Sequence, residues 1–166
     1  MLIDALKQRF QSELLNAENS RGQDVITVSR EAAPAVLRAL RDEPDFEFNV
    51  LIDLTAVDWL SREPRFEVVY QLKSLSRNHR LRVKVPVPGN DAWIASAVEV
   101  WNGADWLERE CYDMFGIDFR GHPDLRRILM YDSFVGHPLR KDYPVDRRQP
   151  IVEEIDPIAS PRPPSR

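Results

Sequence analysis

The sequence predicts an α+β fold: a small mixed, mostly antiparallel four-stranded sheet with helices packed on it, followed by an extended proline-rich C-terminal segment. Three observations carry this reading. Three runs between positions 46 and 87 alternate apolar with polar residues, the flanking stretches space their apolar residues by three and four, and eight of the thirteen prolines lie beyond position 120. Alternation lines one face of a strand, whereas the wider spacing lines one face of a helix.

The first element is an amphipathic helix in which Ile3, Leu6, Phe10 and Leu14 share a face, predicted to run to the turn-forming stretch at 19–22. "DVITV" at 24–28 reads as a short strand, and 31–41 as a second helix burying Val36, Leu37 and Leu40. Pro34, which has no N–H to donate, fits only if it lies in the first turn of that helix. Strand, helix and further strands in this order predict a crossover unit.

The alternating runs come next: Phe46, Phe48, Val50, Ile52 and Leu54; Phe66, Val68, Tyr70 and Leu72; Leu81, Val83, Val85 and Val87. Arg82 and Lys84 interrupt the third run, so one sheet face is expected to be wet there. "SRNHR" at 76–80 has the length of a hairpin connection. Helical spacing returns at 92–101 with Ile94, Ala97, Val98 and Trp101, and Asn102-Gly103 is a stop signal. Asp105, with Glu108 three residues on, resembles a capping box that starts a further helix ending before Gly116. After Gly116 no period persists. The expected organisation is an α+β domain over 1–116, an extended partner-docking segment over 117–149 and a flexible tail over 150–166. The middle part keeps Leu125, Ile128, Leu129, Met130, Tyr131, Phe134 and Tyr143, too much apolar surface for a plain linker.

Composition narrows the function classes. With 166 residues, 43% hydrophobic and 30% charged, the chain has the size and make-up of one folded domain. A net charge of -4 argues against nucleic-acid binding, which needs a basic surface to neutralise phosphates. One cysteine, Cys111, allows no internal disulfide. The start "MLIDALKQRF" lacks the basic and apolar regions of a signal peptide, and no stretch approaches the roughly 20 apolar residues of a membrane span, so contact with a membrane is expected only through partners.

Glu108, Glu110 and Asp113 crowd one segment and could form an acid/base set, or equally could be helix-dipole and ion-pair residues with Arg109 and Arg127. Cys111, His122 and His137 are the candidate metal ligands, but their spacing matches no zinc motif and an iron–sulfur cluster needs four ligands, so no metal site is expected. Neither a dinucleotide nor a P-loop glycine pattern occurs, and there is no nucleophile elbow. Gly-His-Pro occurs twice, at 121–123 and 136–138, each reading as a glycine-permitted turn with a stiff exit. These turns can be ordinary solvated loops or part of a docking surface.

Together "LIDLTAVDW" (51–59), "WLERECYDMFGIDFRGHPDLRRILM" (106–130) and "GHPLRKDYP" (136–144) resemble the C-type, or 30-kilodalton-type, subunit family of NADH:quinone oxidoreductase, respiratory complex I. The resemblance spans about 24–145, with E-R-E, D-M-F-G, G-H-P and L-R-R-I-L in fixed register. The chain departs from the family near Asn102, where a proline is frequent, and at Phe134 and Val135, where it keeps only the aromatic of an aromatic and acidic pair. The resemblance implies a non-catalytic structural subunit of the peripheral arm that binds no cofactor itself, while the parent complex holds FMN, iron–sulfur clusters, NADH and quinone. It implies partners among the peripheral-arm subunits, above all the large quinone-site subunit and the iron–sulfur subunits, on the cytoplasmic side of the bacterial cell membrane. Glu108, Arg109, Glu110, Asp113, Gly116, Gly121, His122, Arg127, Arg140, Lys141, Asp142 and Pro144 match the family signature and are expected to serve subunit contacts. The alternatives are the equivalent subunit of a membrane-bound hydrogenase or ferredoxin-fed complex, and a free-standing assembly or binding module.

Overall fold

Leu81, Val83, Val85 and Val87 are fully buried along one side of a strand, and in the computed structural model of the chain this strand is the middle of a five-stranded sheet. The structure describes residues 2–146 and 149. The elements are α1 (Leu2–Arg9), β1 (Leu14–Ser20), β2 (Gln23–Val28), α2 (Ala33–Asp42), β3 (Val50–Asp58), β4 (Phe66–Ser74), β5 (His79–Val87), β6 (Trp93–Ala95), α3 (Ala104–Phe115) and β7 (Asp118–Arg120). The sheet order is β1-β2-β5-β4-β3, with β2 parallel to β5 and the other neighbours antiparallel. The fold is thus α+β, but the main sheet has five strands rather than four, and β6 and β7 make a separate parallel pair.

The fifth strand comes from residues predicted to be helical. The expected helix from Ile3 through Leu14 stops at Arg9, and 14–20 pairs with β2 instead. Arg21 and Gly22, both at positive φ, close a two-residue turn whose twist suits a hairpin, and Asn19 Oδ1 accepts from the Gly22 N–H at 3.1 Å. Pairing with β2 satisfies a strand of backbone groups that a longer helix would have left at the sheet edge.

α2 begins at Ala33 with Pro34 in its first turn, as its missing N–H requires. It carries the chain from β2 across β5 and β4 to β3, which runs in the same direction as β2, so the crossover holds. β3 contains a bulge between Leu51 and Asp53, which turns Ile52 outward and resets the alternation, so that Leu54, Ala56 and Asp58 face inward. On the uncovered sheet face, Arg82 and Lys84 lie over Val25 and Val69, and Lys84 Nζ pairs with Glu67 at 3.2 Å.

The helix expected at 92–101 does not form. Residues 93–95 pair in parallel with β7, and the spacing of Ala97 and Trp101 survives only as one turn, Trp101 N–H donating to Ala97 O at 2.8 Å. Helix α3 starts without the capping box: Gly103 precedes it with no side-chain cap, and Glu108 points into the core. It ends as expected at Gly116, whose left-handed backbone donates to Tyr112 O at 2.8 Å. The one core collects α1, α2 and α3 against the sheet face formed by Ile26, Tyr70, Leu72 and the buried side of β5.

Candidate functional site

α3 is the element around which the predicted residues gather. Its buried face, carrying Ala104, Glu108, Cys111 and Phe115, lies against β3. Its other side and both ends are held by residues 121–142, because a helix leaves unsatisfied N–H groups at its start and carbonyls at its finish.

At the C-terminal end the carbonyls are taken one after another. His137 Nδ1 donates to Asp113 O at 2.9 Å, Leu139 N–H to Met114 O at 3.1 Å, and Arg140 reaches Phe115 O with Nε and Gly116 O with Nη2. A cation here also complements the negative end of the helix dipole. Gly116 leaves room for this cap, since a Cβ would collide with the His137 ring and the Arg140 guanidinium. Burial pushes both His137 and Arg140 below their ordinary pKa values, so the imidazole is held neutral.

Asp113 is fully buried and accepts four hydrogen bonds. Oδ2 takes the successive N–H groups of Ile128, Leu129 and Met130 at 3.1, 2.8 and 2.8 Å, and Oδ1 takes Arg127 Nη1 at 2.6 Å. Burial pushes the carboxyl up, but those N–H groups and the guanidinium together outweigh it and hold Asp113 below the usual carboxylate range. Arg127 continues to Gly136 O at 3.0 Å, and Arg109 donates to the carbonyls of Arg126 and Arg127 at 3.2 Å each. One carboxylate and two arginines therefore shape the whole bend at 126–136.

The Gly-His-Pro turns act as a pair, one at each end of α3. Gly121 and Gly136 both have positive φ, and a Cβ at Gly136 would also press on the Tyr143 ring at 2.8 Å. The imidazole of His122 accepts from Asp124 N–H on Nδ1 at 3.0 Å, so Nε2 carries the proton and faces Asp105 O at 3.1 Å and Asp105 Oδ1 at 3.2 Å. His122 thus grips the first turn of α3 as His137 grips the last.

A second clamp joins the segment to the sheet. Asp58, 3% exposed, receives Arg65 in bidentate fashion at 2.9 and 2.8 Å, Leu60 N–H at 2.8 Å and Lys141 N–H at 2.8 Å. Arg65 lowers its pKa strongly, against burial, with help from the two backbone N–H groups. Arg65 also pairs with Asp142 at 2.8 Å. Lys141 and Asp142 therefore sit at the clamp, while Pro144 and the carboxylate of Glu110 are exposed. Asp58 and Arg65 are clamp residues that motif spacing did not single out, although a carboxylate at an inward position of the Leu54, Ala56, Asp58 alternation was a usable signal.

The three carboxylates of the acid/base reading do not converge. Glu108 accepts from Ser96 Oγ and Ala97 N–H at 2.6 Å each within the core, with burial raising its pKa, Asp113 is saturated by its four donors, and Glu110 faces outward. Cys111 lies in the core with its thiol pKa pushed up by burial, away from both histidines' contacts, and no group of three or more possible metal ligands occurs among the described residues. No described helix is long and apolar enough to cross a membrane. The predicted tail at 150–166 lies outside the described residues.

What this geometry defines is a two-layer α+β domain whose polar groups hold a C-terminal segment in one shape along α3. A family model for the respiratory-chain NADH dehydrogenase 30 Kd subunit matches residues 26–149, and the chain belongs to that family. It is 54% identical over 140 residues to the C-type subunit of NADH-quinone oxidoreductase from Citrifermentans bemidjiense, covering 84% of this chain and 86% of that protein. It is also 48% identical over 157 residues to the C/D-type subunit of NADH-quinone oxidoreductase from Bdellovibrio bacteriovorus, covering 92% of this chain and 28% of that protein. Among solved structures it resembles the trypsin-resistant fragment (1-134) of Nqo5, with a TM-score of 0.64 and 33% identity, covering 75% of this chain and 98% of the fragment.

Proposed function

We propose that the chain is a structural subunit of the peripheral arm of NADH-quinone oxidoreductase, supporting electron transfer from NADH through FMN and iron–sulfur centres to quinone without binding a cofactor or contributing catalytic residues. It sits on the cytoplasmic side of the bacterial cell membrane and docks through residues 106–145 onto the large quinone-site subunit and neighbouring iron–sulfur subunits. The observation that carries this reading is the outer side of the clamped segment. Asp113, Arg127 and Arg140 spend their hydrogen bonds inward, and Trp106, Leu129, Tyr131, Val135 and Leu139 are left exposed, Leu129 at 57% and Trp106 at 63%. A preshaped apolar strip loses little entropy on binding, which suits a permanent interface. The Bdellovibrio relative supports the partner, because a sequence like this one is there part of a single, longer C/D-type polypeptide.

The test is recovery of the tagged full chain with the assembled oxidoreductase. The double variant Leu129→Asp, Val135→Asp should keep the far-ultraviolet spectrum of the wild type and lose about tenfold or more in recovery with the complex, since buried apolar anchors dominate interfaces. Leu15→Asp, on exposed β1 at the far sheet edge, should leave recovery unchanged. Equal recovery of all three proteins would sink the docking assignment.

A further inference from the structure

We infer that the cleft between the β1–β2 and β4–β5 turns is a second docking site, at the opposite end of the sheet from the clamped segment, and that it takes an acidic segment of a neighbouring polypeptide. This rests on the reading of the chain as a subunit of an assembly.

The parallel register of β2 and β5 brings the two turns together at one end of the sheet. They enclose a cleft of about 600 Å³ lined by Arg21, Gln23, Asp24, Asn78, His79 and Arg80. Directly opposite Arg80, on β4, stands Lys73 on the same uncovered face, and Arg82 follows two residues on. Like charges opposite each other on neighbouring strands destabilise a sheet, so this arrangement works against the fold unless something answers it. Among the described residues Arg21, Lys73 and Arg80 make no ion pair, and the single carboxylate lining the cleft, Asp24, accepts from Asn19 Nδ2 at 2.8 Å and offsets only one of the two arginines there. Arg77, in the β4–β5 turn, already donates to Pro44 O and lies 3.8 Å from Glu47. An excess of cations in a concave site, on a chain of net charge -4, marks local complementarity to an anion rather than general basicity.

A protein carboxylate cluster fits this site better than nucleic acid does. No Phe, Tyr or Trp lines the cleft for base stacking, and the chain's overall charge repels a polyanion at long range. β4 separates the two surfaces by roughly 25 Å, at about 3.3 Å per residue, so both can be occupied at once and the subunit can bridge two neighbours.

The experiment places a photoreactive benzophenone amino acid at position 80 of the full chain and irradiates the purified oxidoreductase. A cross-link to a Glu- or Asp-rich segment of another subunit is expected. The double variant Arg21→Glu, Arg80→Glu should leave the complex about tenfold more readily in a salt wash, as loss of charge complementarity predicts. By itself the variant should melt no lower than wild type, because a glutamate opposite Lys73 replaces repulsion with attraction. Weaker retention with undiminished stability separates docking from a structural role. A cross-link to lipid or to a non-acidic segment, no cross-link, or unchanged retention overturns the inference while leaving the first docking surface intact. Absence of the wild-type chain from the purified complex overturns both.

Discussion

The sheet with α2 and the segment at 121–142 are held by opposite kinds of interaction. In the sheet, Ile26, Val36, Leu40, Tyr70, Leu81 and Val85 are buried against one another, and each fully buried aliphatic side chain contributes about 1.5–3 kcal/mol. In the segment, Leu129, Tyr131, Val135 and Leu139 face outward, and attachment depends on Asp58, Asp113, Arg109, Arg140 and the two histidines. Burial is non-directional and makes a stable core. Directed hydrogen bonds to backbone groups prescribe a shape, which is what an outward-facing interface needs.

The comparison can be broken first from the core side. Leu81→Ala, at a fully buried position beneath the sheet, should cost about 4 kcal/mol and lower the stability of the whole domain in denaturant titration. Asp113→Ala should cost about 3 kcal/mol, because it leaves Arg127 and three N–H groups without their acceptor. Its effect should be local: amide exchange at 126–136 should accelerate severalfold or more while β4 and β5 stay protected. Uniform acceleration across the sheet would show that the two regions are one cooperative unit.

Acid and base should separate them too. Asp58 and Asp113 have lowered pKa values in the fold, so their stabilisation is present above the unfolded carboxylate value of about 4 and is lost as pH falls through the lower folded values. Glu108 is raised by burial, so it has the reverse sign: its contribution is full below the unfolded value and is lost as pH rises through the folded one. Glu108→Gln keeps an acceptor for Ala97 N–H and should flatten the decline of melting temperature above about pH 4.5 without altering the acid limb. Identical profiles for the two proteins would rule this out. The smallest effect is expected from Tyr70→Phe. The Tyr70 hydroxyl is buried without a hydrogen-bond partner among the described residues, so its removal should be neutral or stabilise by up to about 1 kcal/mol, read from the denaturation midpoint.

The candidate site was partly legible. Asp113, Arg127, Arg140 and both Gly-His-Pro turns do meet at α3, but the signature said nothing of which carbonyl each would take. Glu108 looked like a capping residue because Asp105 precedes it by three, yet it is spent on Ser96 and Ala97. The role of Asp58 in fastening the segment was hidden because Lys141, which it holds, lies 83 residues away.

Alone, the sequence determined those features that follow from period and backbone chemistry: the strands built on Phe66–Leu72 and Leu81–Val87, the buried stripe of α2, the stop at Gly116 and the positive-φ turns at Gly121 and Gly136. These depend on neighbours a few residues apart. Only the tertiary structure decided that 14–20 is a strand, that 93–95 pairs with 118–120, and that Asp58 and Asp113 fasten the C-terminal segment. The helical spacings at 14–20 and 93–95 were overruled by backbone pairing with β2 and β7, the two carboxylates took backbone N–H groups at 128–130 and 141, and no local period records where those partners will be.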